Sequence, residues 1–239
     1  MISVCVPTYN GAPYIAAQLD SILRSPRVGE VLVSDDGSTD GTLDVVRSIA
    51  DARVLVVEGP RSGLIRNVES LLVRARGEFV FLADQDDVWQ PQKVDVMIEQ
   101  LQRADLVVSD CQVTDADLAV VEPSFFALRG SAPGLLRNLL RNSYLGCCMA
   151  LRRDLLRHAL PFPARVPMHD WWLGLVGEAF GKVAFIPDPL VLYRRHGANA
   201  STTAEPSQAS WTTRIRWRWT LATALIGRRL GVGQRPVIE

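Results

Sequence analysis

Apolar residues recur along this chain with two alternating periods. Ile2-Ser-Val-Cys-Val6 is a short strand-like run that stops at Pro7-Thr-Tyr-Asn-Gly11, a dense turn signal. Pro13 opens a helix whose apolar positions Ile15, Leu19, Ile22 and Leu23 fall at helical spacing, and Pro26 and Gly29 end it. The alternation repeats: strand Glu30–Ser34, helix Thr42–Ala50, strand Arg53–Val57, helix Leu64–Arg76, strand Phe79–Ala83 after Gly77, then a helix from Pro91 to about Arg103. The second half is less regular. It predicts strands at Asp105–Ser109, Cys147–Leu151, Val183–Ile186 and Leu190–Tyr193, and helices near Gly134–Arg141 and at Asp170–Phe180. Ser201–Ser210, small and polar, reads as a loop or linker, and no internal repeat is visible.

Strand–helix alternation with short loops predicts an α/β chain, its mostly parallel sheet covered by helices on both faces. Pro7–Gly11, Asp35–Gly41 and Asp84–Asp87 each follow a strand. In a parallel sheet such turns share one edge, and that edge is where open α/β sheets bind ligands.

Composition sharpens this picture only in places. A chain of 239 residues makes one large domain or two small ones, and 48% hydrophobic residues fill a sizeable core. Lys+Arg 26 balances Asp+Glu 26, so bulk charge gives no case for nucleic acid. Cys5, Cys111, Cys147 and Cys148 form no C-x-x-C pair, which argues against zinc. With no signal peptide and no run of 18 apolar residues, the expected location is a reducing cytoplasm, without a membrane span.

Asp84, Asp86 and Asp87 crowd one turn, so they want a cation, and hard oxygen ligands suit Mg²⁺ or Mn²⁺ sharing its shell with phosphates. The plain alternative is a solvated acidic turn at a helix dipole. Asp35–Gly41 is no EF-hand, because Val46 or Arg47 stands where the twelfth-position glutamate belongs. There Asp40 suits a helix cap, and Asp36 is left to accept a pyrimidine imide N–H. Neither G-x-G-x-x-G nor a Walker lysine loop follows the first strand, so a diphosphate at this edge needs metal on carboxylates such as those of Asp84-Gln85-Asp86. In Met168-His-Asp-Trp-Trp172, Asp170 is either a helix cap or a general base for a hydroxyl, with proton transfer concerted with attack. Late in the chain, Arg194 or Arg195 could offset phosphate charge and His196 could ligate metal or hold a structural hydrogen bond. The tail 211–235 interleaves Arg with Trp211, Trp217 and Trp219. It reads as an interfacial membrane helix, or as a helix packing its Trp face on the domain with Arg in solvent.

With these residues in hand, the chain resembles the family 2 inverting glycosyltransferases of GT-A fold. The motifs that carry the resemblance are Val4-Cys-Val-Pro-Thr-Tyr-Asn-Gly11, Val33-Ser-Asp-Asp-Gly-Ser-Thr-Asp40, Arg66-Asn67, Gly77-Glu-Phe-Val-Phe-Leu-Ala-Asp-Gln-Asp-Asp87 and His169-Asp170, in the family's order over residues 2–199. The resemblance implies a single Rossmann-like domain with a small acceptor-side region. Residues 1–104 would bind the nucleotide-sugar, 105–200 would hold acceptor and base, and 201–239 would be linker and tail. It implies that Pro7, Thr8, Tyr9 and Asn10 line the base and ribose pocket and that Asp36 meets the pyrimidine. Arg66, Asn67, Asp84 and Gln85 would lie by the nucleotide, Asp86 on a divalent ion with His196, and Asp170 at the base position. His169, Trp171, Arg194 and Arg195 are expected on the acceptor or phosphate side. Within the family the motifs look most like rhamnosyltransferase-type members of bacterial surface-polysaccharide pathways, so dTDP-rhamnose or a UDP-hexose is the expected donor and a glycan or lipid-linked sugar the acceptor, at the inner face of the membrane. His169 departs from the frequent Glu before the base, and Q-x-x-R-W is absent, which argues for single-sugar transfer. The rival readings are a non-catalytic nucleotide-sugar-binding protein and a sugar nucleotidyltransferase. The latter should carry a Gly- and Arg-containing loop where Pro7–Gly11 stands.

Overall fold

A computed structural model describes residues 1–196 and 209–232. The expected linker at Ser201–Ser210 lies almost wholly outside the described residues, as do the ends of the 192–199 motif and of the 211–235 tail. The first half follows the predicted alternation: β1 (Ile2–Thr8), α1 (Ile15–Leu23), β2 (Val28–Asp35), α2 (Thr42–Ser48), β3 (Val54–Glu58), α3 (Leu64–Arg74) and β4 (Phe79–Leu82). β1 and β4 are buried at every residue, as strands covered on both faces must be.

The first four strands run parallel in the order β3-β2-β1-β4. The chain moves outward from β1 to β2 and β3, then crosses back to β4. Right-handed crossovers therefore put α1 and α2 on one face and α3 on the other. The packing agrees, with α1 on α2 and α3 over β1 and β2. The order reverses between β1 and β4, and that switch point opens a crevice at their carboxyl ends.

The second half departs more from expectation. Val88–Trp89 forms a two-residue strand, β5, antiparallel to the late strand β9 (Val183–Arg194). This holds the chain extended ahead of Pro91, so helix α4 begins only at Lys93 (Lys93–Leu101), Pro91 lying in the preceding turn. β6 (Leu106–Thr114) is longer than expected and pairs with a short unforeseen strand, β7 (Val120–Glu122). Two short helices follow, α5 (Phe125–Arg129) and α6 (Leu135–Leu140). The strand expected from Cys147 starts at Met149 (β8, Met149–Arg152), because Gly146–Cys148 coils into a 3₁₀ turn. A one-turn helix, α7 (Leu156–Ala159), precedes α8 (His169–Phe180). The two strands expected at Val183–Ile186 and Leu190–Tyr193 are the single strand β9. Ser109 faces Ile186 while Asp110 faces Pro189, so Pro187 and Asp188 bulge out of the ladder. β8 runs antiparallel between β4 and β6, and β9 parallel to β6, extending the sheet to β3-β2-β1-β4-β8-β6-β9-β5. The sheet is thus mostly parallel. Helix α9 (Trp211–Arg229) packs across α6 and α8. All four cysteines are free and buried, as small core residues.

Candidate active site

Three turns meet at the switch-point edge and are bonded to one another. Gln85, after β4, accepts from the Thr8 hydroxyl at 2.5 Å and the Tyr9 amide at 2.9 Å, and its own amide donates back to the Tyr9 carbonyl at 3.0 Å. Asn10 holds the left-handed conformation at φ 49°, which Asn tolerates. Its side-chain oxygen accepts the Thr39 amide at 2.9 Å, and its own amide donates to Ser38 Oγ at 2.8 Å. A Cβ on Gly11 would stand 2.3 Å from Gln85 Oε1 and would displace the side chain that ties these loops together. Tyr9 is left 57% exposed, its ring available to a ligand.

The aspartates of the second turn serve the backbone. Asp35 accepts the Gly37 and Ser38 amides at 3.1 and 3.0 Å. Asp36 accepts the Gly63 amide at 2.7 Å and the Ser62 amide at 3.3 Å, which leaves each oxygen a spare lone pair. Asp40 takes the Thr42 and Ala12 amides, each at 3.0 Å. It stands one residue outside the cap position expected for it, which Gly41 fills at φ 87°. Asn67 is buried, with its amide donating to the Ser34 carbonyl at 2.8 Å, so it fixes the end of β2. Arg66 pairs with Glu69 and reaches the Phe162 carbonyl.

The third turn differs in kind. Asp86 is buried, and its Oδ2 lies 2.9 Å from His196 Nε2, so a residue 110 positions later joins it. His196 stacks on Tyr14 with centroids 4.5 Å apart. Arg194 is drawn to protein groups. Its Nε donates to the Asp86 carbonyl at 2.8 Å, its amide donates to Asp87 at 3.0 Å, and its guanidinium lies 4.9 Å from the Tyr14 ring centre. The Arg195 amide pairs with the Thr114 carbonyl at 2.9 Å. Burial, with the nearby Asp86 and Asp170 carboxylates, pushes Asp84 up to about 8. Burial likewise raises Asp87, against hydrogen bonds from the Cys147 side chain and the Arg194 amide.

A divalent cation fits this donor set, because it would relieve the repulsion that raises Asp84 and would find carboxylate and imidazole ligands in Asp86 and His196. Ligand atoms of Asp84, Asp87 and Cys147 also lie within 4.8 Å of one another. Burial raises the Cys147 thiol, which keeps it protonated and a poor partner for a hard ion. Asp84, Asp86 and His196 are the residues at this turn that could hold such an ion.

Asp170 enters from α8. It is buried and pushed up to about 7 by desolvation, against hydrogen bonds from the Trp171 amide, the Asn142 side chain and the Gly146 amide. Met168, not Asp170, occupies the cap position of α8. Asp170 therefore does not cap the helix. It lies in the first turn, close enough to Asp84 to repel it. His169 is buried beside Gly146, and burial drives it down to about 4, so it is neutral, with no partner for Nδ1 among the described residues. Trp171, expected on the acceptor side, is instead buried, and its indole donates to the Asn138 carbonyl at 2.7 Å. Trp172 is fully buried core.

The arrangement is one cleft edge with an aromatic rim, a metal-ready acidic floor and a buried carboxylate titrating near neutrality. The sequence profile named Glycosyl transferase family 2 matches residues 3–160. The chain belongs to glycosyl transferase family 2. A Nostoc sp. protein named an uncharacterised glycosyltransferase is 28% identical over 228 residues, which cover 87% of this chain and 70% of the relative. An Escherichia coli protein, WfgD, named a UDP-Glc:α-D-GlcNAc-diphosphoundecaprenol β-1,3-glucosyltransferase, is 25% identical over 179 residues, covering 73% of this chain and 68% of the relative. The structure of S. aureus TarS 1–349 in complex with UDP-GlcNAc superposes with a TM-score of 0.68 at 19% identity, covering 96% of this chain and 72% of that one. The family 2 chain thus has a GT-A-like fold, and it is a glycosyltransferase.

Sequence reasoning missed Tyr14, Asn142 and Gly146, named Asp87 only as one of the crowded carboxylates, and read Cys147 as a core residue. Tyr14 carried no motif. Asn142 and Gly146 reach Asp170 only because the loop after α6 folds back over the start of α8.

Proposed function

We propose that this glycosyltransferase moves a single hexose from a UDP-sugar, with metal and with inversion, to a hydroxyl of a lipid-linked or other glycan acceptor in surface-polysaccharide synthesis. The observation that carries the reading is the meeting of the Asp84–Asp86–His196 floor with Asp170, held near pH 7, at one edge. The names of WfgD and of the TarS complex support UDP as the nucleotide and, for WfgD, a lipid diphosphate as acceptor carrier. The motif resemblance makes dTDP-rhamnose the competing donor.

In this reading residues 1–104 bind the donor, 105–200 carry the acceptor side and the base, and 201–239 are linker and tail. Tyr9 stacks on the base, Pro7, Thr8 and Asn10 close the ribose side, and Asp36 offers its spare lone pairs to the pyrimidine imide. Arg66 and Asn67 shape the pocket from α3 by holding Phe162 and Ser34. Asp84, Asp86 and His196 would hold Mn²⁺ or Mg²⁺. When bound, such an ion supplies charge neutralisation to the departing diphosphate. Gln85 keeps the two loops in register around it. Arg194 fixes the Asp86–Asp87 backbone, and Arg195 stays on the phosphate side.

Asp170 takes the acceptor proton as the new bond forms, from the face opposite the leaving group, so the anomeric carbon inverts. A carboxylate held near 7 is a stronger base than an ordinary one and is still about half ionised at neutral pH. Neutral His169 beside it adds no positive charge that would weaken the base. The free, buried cysteines suit a reducing compartment, and the proposed location is the cytoplasm.

The test is a donor panel of UDP-glucose, UDP-galactose, UDP-GlcNAc, GDP-mannose and dTDP-rhamnose, with Mn²⁺ or Mg²⁺ and then with EDTA. Metal-dependent release of UDP, lost in Asp86→Ala, is the expected result. Release of dTDP alone would move the donor to rhamnose. Metal-independent binding with no release from any donor, even with a lipid diphosphate acceptor, would contradict the reading.

A further inference from the structure

Helix α9 carries two apolar stripes where a surface helix ordinarily has one. The first faces inward: Leu221 is fully buried, Leu225 is 7% exposed and Trp217 packs on the core. The second is Trp211, Ile215, Trp219, Ile226 and Leu230, spaced by roughly one or two turns, and these are 55–75% exposed. At 3.6 residues per turn the second stripe lies about 150° around the helix from the first. It points away from the domain, and core packing does not explain it.

Two further observations accompany this stripe. The neighbouring helix α6 exposes Leu136 and Leu140, at 74% and 62%, and Arg218 of α9 donates to the Leu140 carbonyl at 3.0 Å, so the two helices present apolar residues side by side. Charge on α9 is also of one sign. Residues 209–232 contain Arg214, Arg216, Arg218, Arg228 and Arg229 and no acidic residue. Helical positions put Arg218 and Arg229 toward one flank of the outward stripe and Arg216 on the other, with Arg214 at the angle of the inward stripe but exposed in the first turn. Arg228 is turned in, onto the Pro161 carbonyl, while the more exposed Arg218 and Arg229 reach sideways to the Leu140 and Ala179 carbonyls, Arg229 also lying 5.5 Å from the Phe180 ring centre.

We infer that the outward stripe of α9, together with Leu136 and Leu140 of α6, docks on the surface of an anionic lipid bilayer. Tryptophan and arginine around an apolar stripe match the chemistry of a headgroup boundary, where rings and stems insert and guanidinium groups meet phosphate. A second copy is a poorer occupant, because a two-fold contact would bring two arginine-flanked helices together with no carboxylate on α9 to pair them. No helix among the described residues is long and apolar enough to cross a membrane, so the contact is peripheral. The surface adjoins the base side of the cleft. Leu140 ends α6, and Asn142, two residues on, hydrogen-bonds Asp170. An acceptor held in the lipid would arrive beside that carboxylate.

This contact is tested without turnover, so its fate is separate from that of the proposed donor chemistry. The full chain is sedimented with vesicles of phosphatidylcholine, with and without phosphatidylglycerol. Binding is expected to the phosphatidylglycerol vesicles, with a blue shift of tryptophan emission, and to weaken as salt rises. The triple variant Trp211→Ala/Ile215→Ala/Trp219→Ala should bind at least about tenfold more weakly while keeping wild-type circular dichroism and Tm, since these side chains face solvent. Arg214→Glu/Arg216→Glu should abolish the preference for anionic lipid. Absence of wild-type binding at low salt, or undiminished binding by the triple variant, overturns the inference. So does a dimer in sedimentation velocity that needs Trp219 and forms in place of vesicle binding, an outcome that would assign the stripe to a second copy.

Discussion

On the rim of the cleft, aspartates are satisfied by the main chain: Asp35 by Gly37 and Ser38, Asp36 by Ser62 and Gly63, Asp40 by Thr42 and Ala12. On the floor, burial pushes Asp84 up to about 8, with Asp86 and Asp170 adding to it, and burial alone pushes Asp170 up to about 7. One residue type thus does two jobs. Rim carboxylates shape loops through charge-assisted hydrogen bonds. The floor carboxylates Asp84 and Asp170 are desolvated beyond what their hydrogen bonds offset, which costs stability and leaves them ready for a cation or a proton. In the sequence, Asp35-Asp36 and Asp86-Asp87 look alike, and only their surroundings separate them.

The largest break in this contrast should come from Asp170→Asn. Transfer should fall by about 10²- to 10⁴-fold while UDP affinity is unchanged, as measured by steady-state kinetics beside calorimetry. In the wild type, kcat/KM should fall as pH drops below about 7, where Asp170 takes up a proton.

The same variant sharpens the stability side. Asp170 titrates higher folded than unfolded, so the folded state holds its proton more tightly, and stability is lost as pH rises from the ordinary carboxylate range through about 7. Asp170→Asn escapes that loss. Its Tm should exceed wild type at pH 8, by the equivalent of at most about 4 kcal/mol, and the gap should close near pH 4. An equal Tm at both pH values would remove burial as the cause of the raised titration.

His196→Ala should leave the fold intact and weaken the Mn²⁺ concentration dependence of nucleotide binding by about 10- to 100-fold, in the range seen when support of a metal ligand is lost. Asp36→Ala should have the smallest effect. It loses two amide contacts near α3, costing about 1–2 kcal/mol in chemical denaturation, with a modest rise in the Kd for UDP.

Much of this was legible in the sequence because it rests on local pattern. Two-period alternation marked β1 to β4 and their helices, and turn residues marked the strand ends that meet at the switch point. What escaped depends on distant pairing. Val88–Trp89 is too short to show a strand period and is extended only because Leu192 and Val191 pair with it. Pro187-Asp188 looks like a break between two strands, whereas β6 carries the ladder past it as a bulge. Asp86 and His196 were each nameable from motifs, but their 2.9 Å approach is set by the ordering of β9 beside β6 and β5. The tail was read with its tryptophans on one side. The structure divides them, Trp217 inward and Trp211 and Trp219 outward, because Leu221 and Leu225 take the inner face.

The most direct test of the division between donor floor and base is a calorimetric titration of UDP, with Mn²⁺, into the wild type, Asp86→Ala and Asp170→Asn. The account predicts equal affinity for wild type and Asp170→Asn, and loss of binding in Asp86→Ala to the level seen with EDTA. Undiminished, EDTA-insensitive binding by Asp86→Ala, or loss of binding in Asp170→Asn, would contradict it.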